Sequence, residues 1–119
     1  MTPGQVRDWL RGQPGAVEER PFGPETLVYK VGGKMFGSTH VGGDTVNLKC
    51  DPDWARSLRA EHPGITPGYH MNKQHWNTVR LDGSVSADLV RQLLEHSYTL
   101  VVDTLPRPQR EALRSGSSS

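Results

Sequence analysis

The chain has 119 residues, and its 14 basic and 13 acidic side chains give a formal net charge of +1. This length predicts one domain, and a pI near 8.0 excludes a strongly basic nucleic-acid-binding arm, so any such contact must come from a local patch. No apolar run approaches the roughly 20 residues of a membrane span, and a single cysteine, Cys50, favours a reducing cytoplasm over a disulfide framework.

The first predicted element is a short amphipathic helix. Thr2 suits the N-cap and Pro3 suits the first helical position, where no amide donor is needed. Apolar residues then recur at helical spacing up to Leu10, so Trp9 is expected to dock into the core, and Gly12 begins the termination signal.

Three strands are predicted next, after a solvated loop at Ala16–Pro24. Thr26–Val31 and Lys34–His40 are expected to form a hairpin around Gly32-Gly33, a typical two-residue turn. A third strand at Thr45–Cys50 alternates apolar and polar residues, which indicates a sheet with one buried and one wet face. Cys50 is expected to be a small core residue.

The second half of the sequence predicts a helix, a hairpin and a long helix. Asp51-Pro52 opens the first helix and Pro63-Gly64 ends it. The long helix has a wide apolar stripe and stops at Leu105-Pro106. A short final helix is expected within Pro108–Arg114, which closes a domain of residues 1–114, and Ser115–Ser119 is expected to be a disordered tail.

The hairpin between these helices holds the densest cluster of functional side chains. Tyr69 and His70 are predicted to be extended, Asn72-Lys73 to be a two-residue turn, and Gln74–Leu81 to be the returning strand. In that register His70 lies opposite His75. Tyr69 would lie opposite Trp76 and Met71 opposite Gln74.

Together these elements predict a two-layer α+β domain, with helices on one face of an antiparallel sheet of about five strands. The uncovered face is expected to be polar. It would carry Lys30, Thr45, Asn47 and Lys49, joined by Trp76, Thr78 and Arg80 if the parity of the last strand matches.

Several sequence blocks occur in the same order in one known family. They are Glu18–Gly23, Tyr29–Phe36, Asn47–Pro52, Pro67–Val79, His96–Tyr98 and Leu105-Pro106. With these blocks the chain resembles the MmcQ/YjbR family of small bacterial proteins. The resemblance implies a fold like that of CyaY, the bacterial frataxin, and DNA binding has been proposed for the family without agreed catalytic residues.

The leading functional hypothesis is a monomeric, cytoplasmic, non-catalytic domain that binds DNA or other nucleic acid through the open sheet face and the central hairpin. Phosphate contacts are expected from cationic side chains, and base contacts from an amide and an aromatic ring. The predicted set is Lys30, Lys49, Lys73, Arg80, Asn72 and Trp76.

The alternative hypothesis is a small-ligand-binding protein or enzyme that uses the hairpin. Its candidate residues are Tyr69, His70, His75 and Asn77. Metal binding by His70 and His75, with His40 or Asp44, is disfavoured because the spacing matches no standard zinc motif. No metal, cofactor or catalytic residue is therefore predicted.

Overall fold

The computed structural model describes residues 1–68 and 71–117. Ten elements follow one another along the chain. They are α1 (Pro3–Arg11), β1 (Val17–Glu19), β2 (Thr26–Val31), β3 (Lys34–His40), β4 (Thr45–Lys49), α2 (Pro52–Glu61), β5 (Ile65–Pro67), β6 (Trp76–Arg80), α3 (Ala87–Asp103) and α4 (Arg107–Ser117).

The strands form one antiparallel sheet in the order β1-β2-β3-β4-β6-β5. Helix α3 lies against β2, β3 and β4, while α1 contacts β4 and α2 contacts β5. The predicted two-layer α+β architecture is confirmed. Of the described helices, none is long and apolar enough to cross a membrane.

The caps predicted from the sequence start the first two helices. The Thr2 hydroxyl accepts from the Gln5 N–H, and the Gln5 side chain accepts from the Thr2 N–H, which completes a capping box. The Asp51 carboxylate accepts from the Trp54 N–H at 3.1 Å in the same way. Each helix is therefore fixed at its first turn by local contacts.

The β2–β3 hairpin also forms as predicted. Val31 lies opposite Lys34, and the two turn residues, Gly32 and Gly33, have φ of 58° and 79°. Both values fall in the left-handed region that a type I′ turn requires. Beyond this turn a β-bulge interrupts the pairing, because Lys30 lies opposite Met35 while Tyr29 lies opposite Gly37.

Within residues 1–68 and 71–117 the sheet has six strands rather than about five. The segment 16–24, predicted to be a loop, contains β1, whose Glu18 lies opposite Tyr29 at the sheet edge. A sequence pattern over three residues is too short to distinguish a strand from a loop. The pairing with β2 makes this segment a strand. Helix α4 continues through Ser117, three residues into the segment predicted to be a tail.

The predicted two-residue turn at Asn72-Lys73 is wrong. Strand β6 begins at Trp76 rather than Gln74, and the Gly68 N–H donates to the Trp76 carbonyl at 2.8 Å. The Asn72 carbonyl instead accepts from both the His75 and Trp76 N–H groups, so a turn over residues 72–76 leads into β6. Tyr69 and His70, whose pairing was predicted, lie outside the described residues.

The core lies between the sheet and the helices. Its largest fully buried side chains include Tyr29, Phe36 and Leu10, and Trp9 packs against it as a partly buried residue. Cys50 is confirmed as a core residue, since it is 3% exposed and burial raises the pKa of its thiol to about 11.

Candidate functional site

The face of the sheet away from the helices is organised by the pairing of β4 with its neighbours. Asn47 lies opposite Ser38 on β3 and opposite Thr78 on β6. Because paired residues share a face, Thr45 and Lys49 present the same face as their partners Arg80 and Trp76. The parity of the last strand, which the sequence left open, therefore places Trp76, Thr78 and Arg80 on the open face.

This face contains a depression of about 590 Å³, called here the open-face cup. Its lining combines apolar side chains with uncharged hydrogen-bonding groups and one histidine. The lining residues are Phe22, Thr26, Val28, Met35, Ser38, His40, Thr45, Asn47, Met71 and Thr78. The open face is therefore not uniformly polar. Val28 is only 2% exposed although it points away from the core.

The middle of the cup contains a hydrogen-bonded row that crosses three strands. The Thr78 hydroxyl donates to Asn47 Oδ1 at 2.5 Å, and Asn47 Nδ2 donates to the Ser38 hydroxyl at 3.1 Å. These bonds hold the Asn47 amide from both sides, because Ser38 and Thr78 belong to strands on either side of β4.

One wall of the cup contains a polar pair, and the rim carries an aromatic ring. His40 Nδ1 lies 3.4 Å from the Thr26 hydroxyl on the paired strand. Phe22, in the β1–β2 loop, is 79% exposed. An aromatic ring so exposed beside a cavity has apolar surface available to cover a bound molecule.

Two of the four cations predicted to contact phosphate are engaged in ion pairs. Lys30 Nζ lies 2.9 Å from the Glu19 carboxylate, and an Arg80 Nη lies 3.1 Å from the Asp82 carboxylate. Hydrogen bonds from Ser84, with the Arg80 charge as a smaller cause, lower the pKa of Asp82. Both cations therefore have a carboxylate beside them that competes with phosphate.

The other two predicted cations differ in their surroundings. Lys49 is half-buried and lies opposite Trp76, whereas Lys73 is exposed in the segment 71–75 that precedes β6. Neither forms an ion pair with a carboxylate in residues 1–68 or 71–117. Asn72 uses its side-chain oxygen to accept from the Gln74 N–H at 2.9 Å, so this predicted base-contacting amide stabilises the turn.

The residues of the hairpin hypothesis are separated by the structure. Asn77 is 3% exposed on the core face, where its Oδ1 accepts from Arg59 at 3.1 Å. His75 is half-buried, and its carbonyl accepts from the Cys50 N–H at 2.7 Å. The remaining candidates, Tyr69 and His70, lie outside the described residues. In the part of the chain that is described, no group of three or more metal-ligating side chains is found.

Comparison with known proteins identifies the family. The YjbR family model matches residues 11–100, which is most of the chain. This chain belongs to the YjbR family.

Relatives and a solved structure agree with this assignment. YbdF of Escherichia coli O157:H7 is 43% identical over 98 residues, covering 81% of this chain and 80% of the relative. YjbR of Escherichia coli K12 is 31% identical over 115 residues, covering 95% and 98%. Both are described as uncharacterized proteins.

The crystal structure of Deinococcus radiodurans DR2400, assigned to the domain DUF419, superposes with a TM-score of 0.87 at 41% identity. The match covers 94% of this chain and 87% of the DR2400 chain. The likeness to CyaY stays a prediction of the sequence resemblance.

In this YjbR-family chain, sequence reasoning missed several cup residues, including Ser38 and His40. Regular alternation from Phe36 places both in the core. The β-bulge adds one residue to β3, so Phe36 and Gly37 both face the core and the following residues change face. The signal available in the sequence was the small Gly37 within an apolar strand, since glycine there often marks a bulge.

A second depression of about 450 Å³ lies near the N-terminal helix of this family member. Its lining includes Arg7, Arg11, Arg20 and Glu18. Arg11 already contacts Asp8 at 2.5 Å and lies 3.9 Å from the Glu18 carboxylate, so carboxylates of the chain offset part of its positive charge.

Proposed function

We propose that this YjbR-family protein is a non-catalytic binding domain whose open-face cup takes a small, uncharged and largely apolar molecule. The observation that carries the proposal is the lining of the cup, in which apolar side chains surround a central row of hydroxyl and amide groups. Ligand sites of about 300–1,000 Å³ commonly combine apolar walls with a few placed polar groups.

The composition of the cup supports an uncharged ligand. Its apolar surface comes from Phe22, Val28, Met35 and Met71, whose side chains gain from excluding water. Methionine adapts to irregular ligand shapes because its side chain is unbranched and flexible. Among the described residues that line the cup there is no carboxylate, lysine or arginine, so a charged ligand would lose its hydration without a countercharge.

The proposal is tested by blocking the cup. The protein, labelled with ¹⁵N, is titrated with indole, quinoline and 2-naphthol while amide chemical shifts are followed. We expect shifts concentrated at cup residues, and Thr45→Trp, which places an indole in the cup, to weaken binding at least tenfold.

The matched control is Ser57→Trp. Ser57 is exposed on α2, in the helical layer, outside the lining of the cup. This variant should bind as the unchanged protein does. Shifts spread evenly over the surface, or binding that Thr45→Trp leaves intact, would overturn the proposal.

Nucleic acid is the second candidate ligand, and a specific arrangement favours it. Lys49 and Trp76 lie opposite each other on the open face, and Lys73 is exposed in the neighbouring loop. A cation beside an aromatic ring suits a single strand, since the charge can contact phosphate while the ring stacks on a base. Nucleic acid is the second candidate because carboxylates already pair with Lys30 and Arg80 and would compete with phosphate.

Fluorescence anisotropy with labelled single-stranded DNA and RNA at two salt concentrations tests this candidate. Binding should weaken with salt, and Lys49→Ala or Lys73→Ala should reduce the salt slope by about 1 each. Arg91→Ala, a charge loss on the exposed side of α3, is the control and should have no effect. Binding weakened by Arg7→Ala instead would locate it at the arginine-lined depression.

We also propose that the protein acts as a cytoplasmic monomer. One buried cysteine is compatible with a reducing compartment. Light scattering coupled to size-exclusion chromatography should give a mass near 13.2 kDa. A mass near twice that value at micromolar concentration would contradict the monomer.

A further inference from the structure

The Asn47 side chain is held from both sides within the open-face cup. Its Nδ2 donates to Ser38 on β3, and its Oδ1 accepts from Thr78 on β6. A primary amide has two N–H donors and an oxygen with two lone pairs. The two strand-to-strand bonds therefore use one donor and one lone pair, and leave one of each.

The remaining donor and acceptor are directed by the geometry of the amide. The group is planar, and its two bonded neighbours lie on opposite sides of β4, so the amide plane runs across the sheet. The edge opposite Cβ then faces away from the backbone and into the cup. It presents an N–H and a carbonyl lone pair side by side, in an orientation fixed before any ligand arrives.

We propose that the cup recognises a flat heterocycle carrying an N–H donor next to a carbonyl acceptor in the cis arrangement, as in a lactam or a nucleobase edge. Two parallel hydrogen bonds to Asn47 would read this edge, while Val28 and Met35 contact the ring. This inference rests on the proposed function and specifies its ligand class.

Because the Asn47 amide is ordered before the ligand binds, we expect strong selectivity for ligands that carry the N–H donor. A free asparagine loses side-chain entropy when it binds, whereas Asn47 is already ordered by Ser38 and Thr78. A ligand without the donor leaves the Asn47 oxygen facing the ligand without a partner in a partly dehydrated site. Sites built to pair a polar group discriminate strongly against analogues that lack it.

The test uses 2-quinolinone, which has the cis N–H and carbonyl edge, and N-methyl-2-quinolinone, which lacks the donor. Each is titrated into the ¹⁵N-labelled full chain, and dissociation constants are taken from amide shifts. We expect 2-quinolinone to bind about tenfold more tightly or better.

Three variants test whether Asn47 is the side chain that recognises the ligand edge. Asn47→Leu keeps a similar volume and removes both the acceptor oxygen and the N–H donors, and it should bring the ratio of the two dissociation constants close to one. Ser38→Ala removes one of the two bonds that orient the amide and should lower the ratio several-fold without altering the edge itself. Thr99→Val removes an exposed hydroxyl on α3, outside the lining of the cup, and should leave the ratio unchanged.

The outcomes separate this inference from the proposed function. Equal binding of both quinolinones at the cup would overturn the inference and leave the cup as a binding site. A preference that survives Asn47→Leu would also overturn it, because another group would then recognise the edge. If neither quinolinone nor the neutral aromatics shift the cup amides, both the inference and the proposed function fail.

Discussion

Arg59 on α2 donates to the side chain of Asn77 on β6, with Nη1 3.1 Å from Oδ1. The same nitrogen donates to the Lys73 carbonyl at 2.7 Å, so one guanidinium ties a helix both to the sheet and to the segment 71–75. Met71, at the start of that segment, lines the open-face cup. A contact on the core side of the sheet thereby positions part of the site on the opposite side.

Removing this contact should destabilise the protein. Arg59→Ala leaves the Asn77 oxygen, in a residue 3% exposed, without its guanidinium donor. The expected loss is about 1–3 kcal/mol in the free energy of unfolding, measured by urea denaturation. Arg56→Ala is the control, since Arg56 contacts Asp53 on the surface and should change stability by less than about 0.5 kcal/mol. Equal effects of the two substitutions would refute this role for Arg59.

Ser97 joins α3 to two adjacent strands from a fully buried position. Its hydroxyl donates to the Phe36 carbonyl at 2.6 Å and accepts from the Lys49 N–H at 2.9 Å. Ser97→Ala should cost about 1–3 kcal/mol in urea denaturation because both backbone groups lose a partner. Ser57→Ala, on the exposed side of α2, should be nearly neutral. A neutral Ser97→Ala would show that the strands satisfy these groups without the helix.

His96 should make the stability dependent on pH. Its Nε2 accepts from the Asp51 N–H at 3.1 Å, and its ring packs edge-on against Trp54, with centroids 4.7 Å apart. Burial lowers the pKa of His96 below its ordinary value of 6.5, and the Asp51 charge only partly offsets this effect. The folded protein therefore favours the neutral ring. Its contribution is complete above pH 6.5 and is lost as the pH falls through the lowered pKa.

The measurement is chemical denaturation of the protein and of His96→Gln between pH 7.5 and pH 5.5. The glutamine oxygen can accept from the Asp51 N–H and does not titrate in this range. We expect the unchanged protein to lose stability towards pH 5.5 more steeply than the variant. Parallel pH profiles would contradict the prediction.

Gly68 lies where two backbones approach closely. A Cβ added there would lie 2.8 Å from the Trp76 Cβ and 3.1 Å from the Trp76 carbonyl oxygen. Gly68→Ala should therefore force the β5–β6 connection apart and cost about 1–3 kcal/mol in thermal or urea unfolding. Gly4→Ala is the matched control, because the nearest atom would be 3.9 Å away. A stable Gly68→Ala variant would mean that the connection yields easily.

The sequence by itself determined the parts of the fold that depend on neighbouring residues. The caps at Thr2 and Asp51 and the Gly32-Gly33 turn each rest on contacts within a few positions. The alternation in β4 placed Asn47 and Lys49 on the open face, because side chains of a regular strand point to opposite faces in turn.

Only the tertiary structure decided the features that depend on distant partners. The bulge at Phe36 gives β3 one residue more than β2 opposite it, and this choice moves Ser38 and His40 from the expected core to the cup. The segment 71–75 likewise has a contact from Arg59, which comes from another element. Local pattern cannot fix such features, because their stability comes from pairing and packing between segments far apart in the chain.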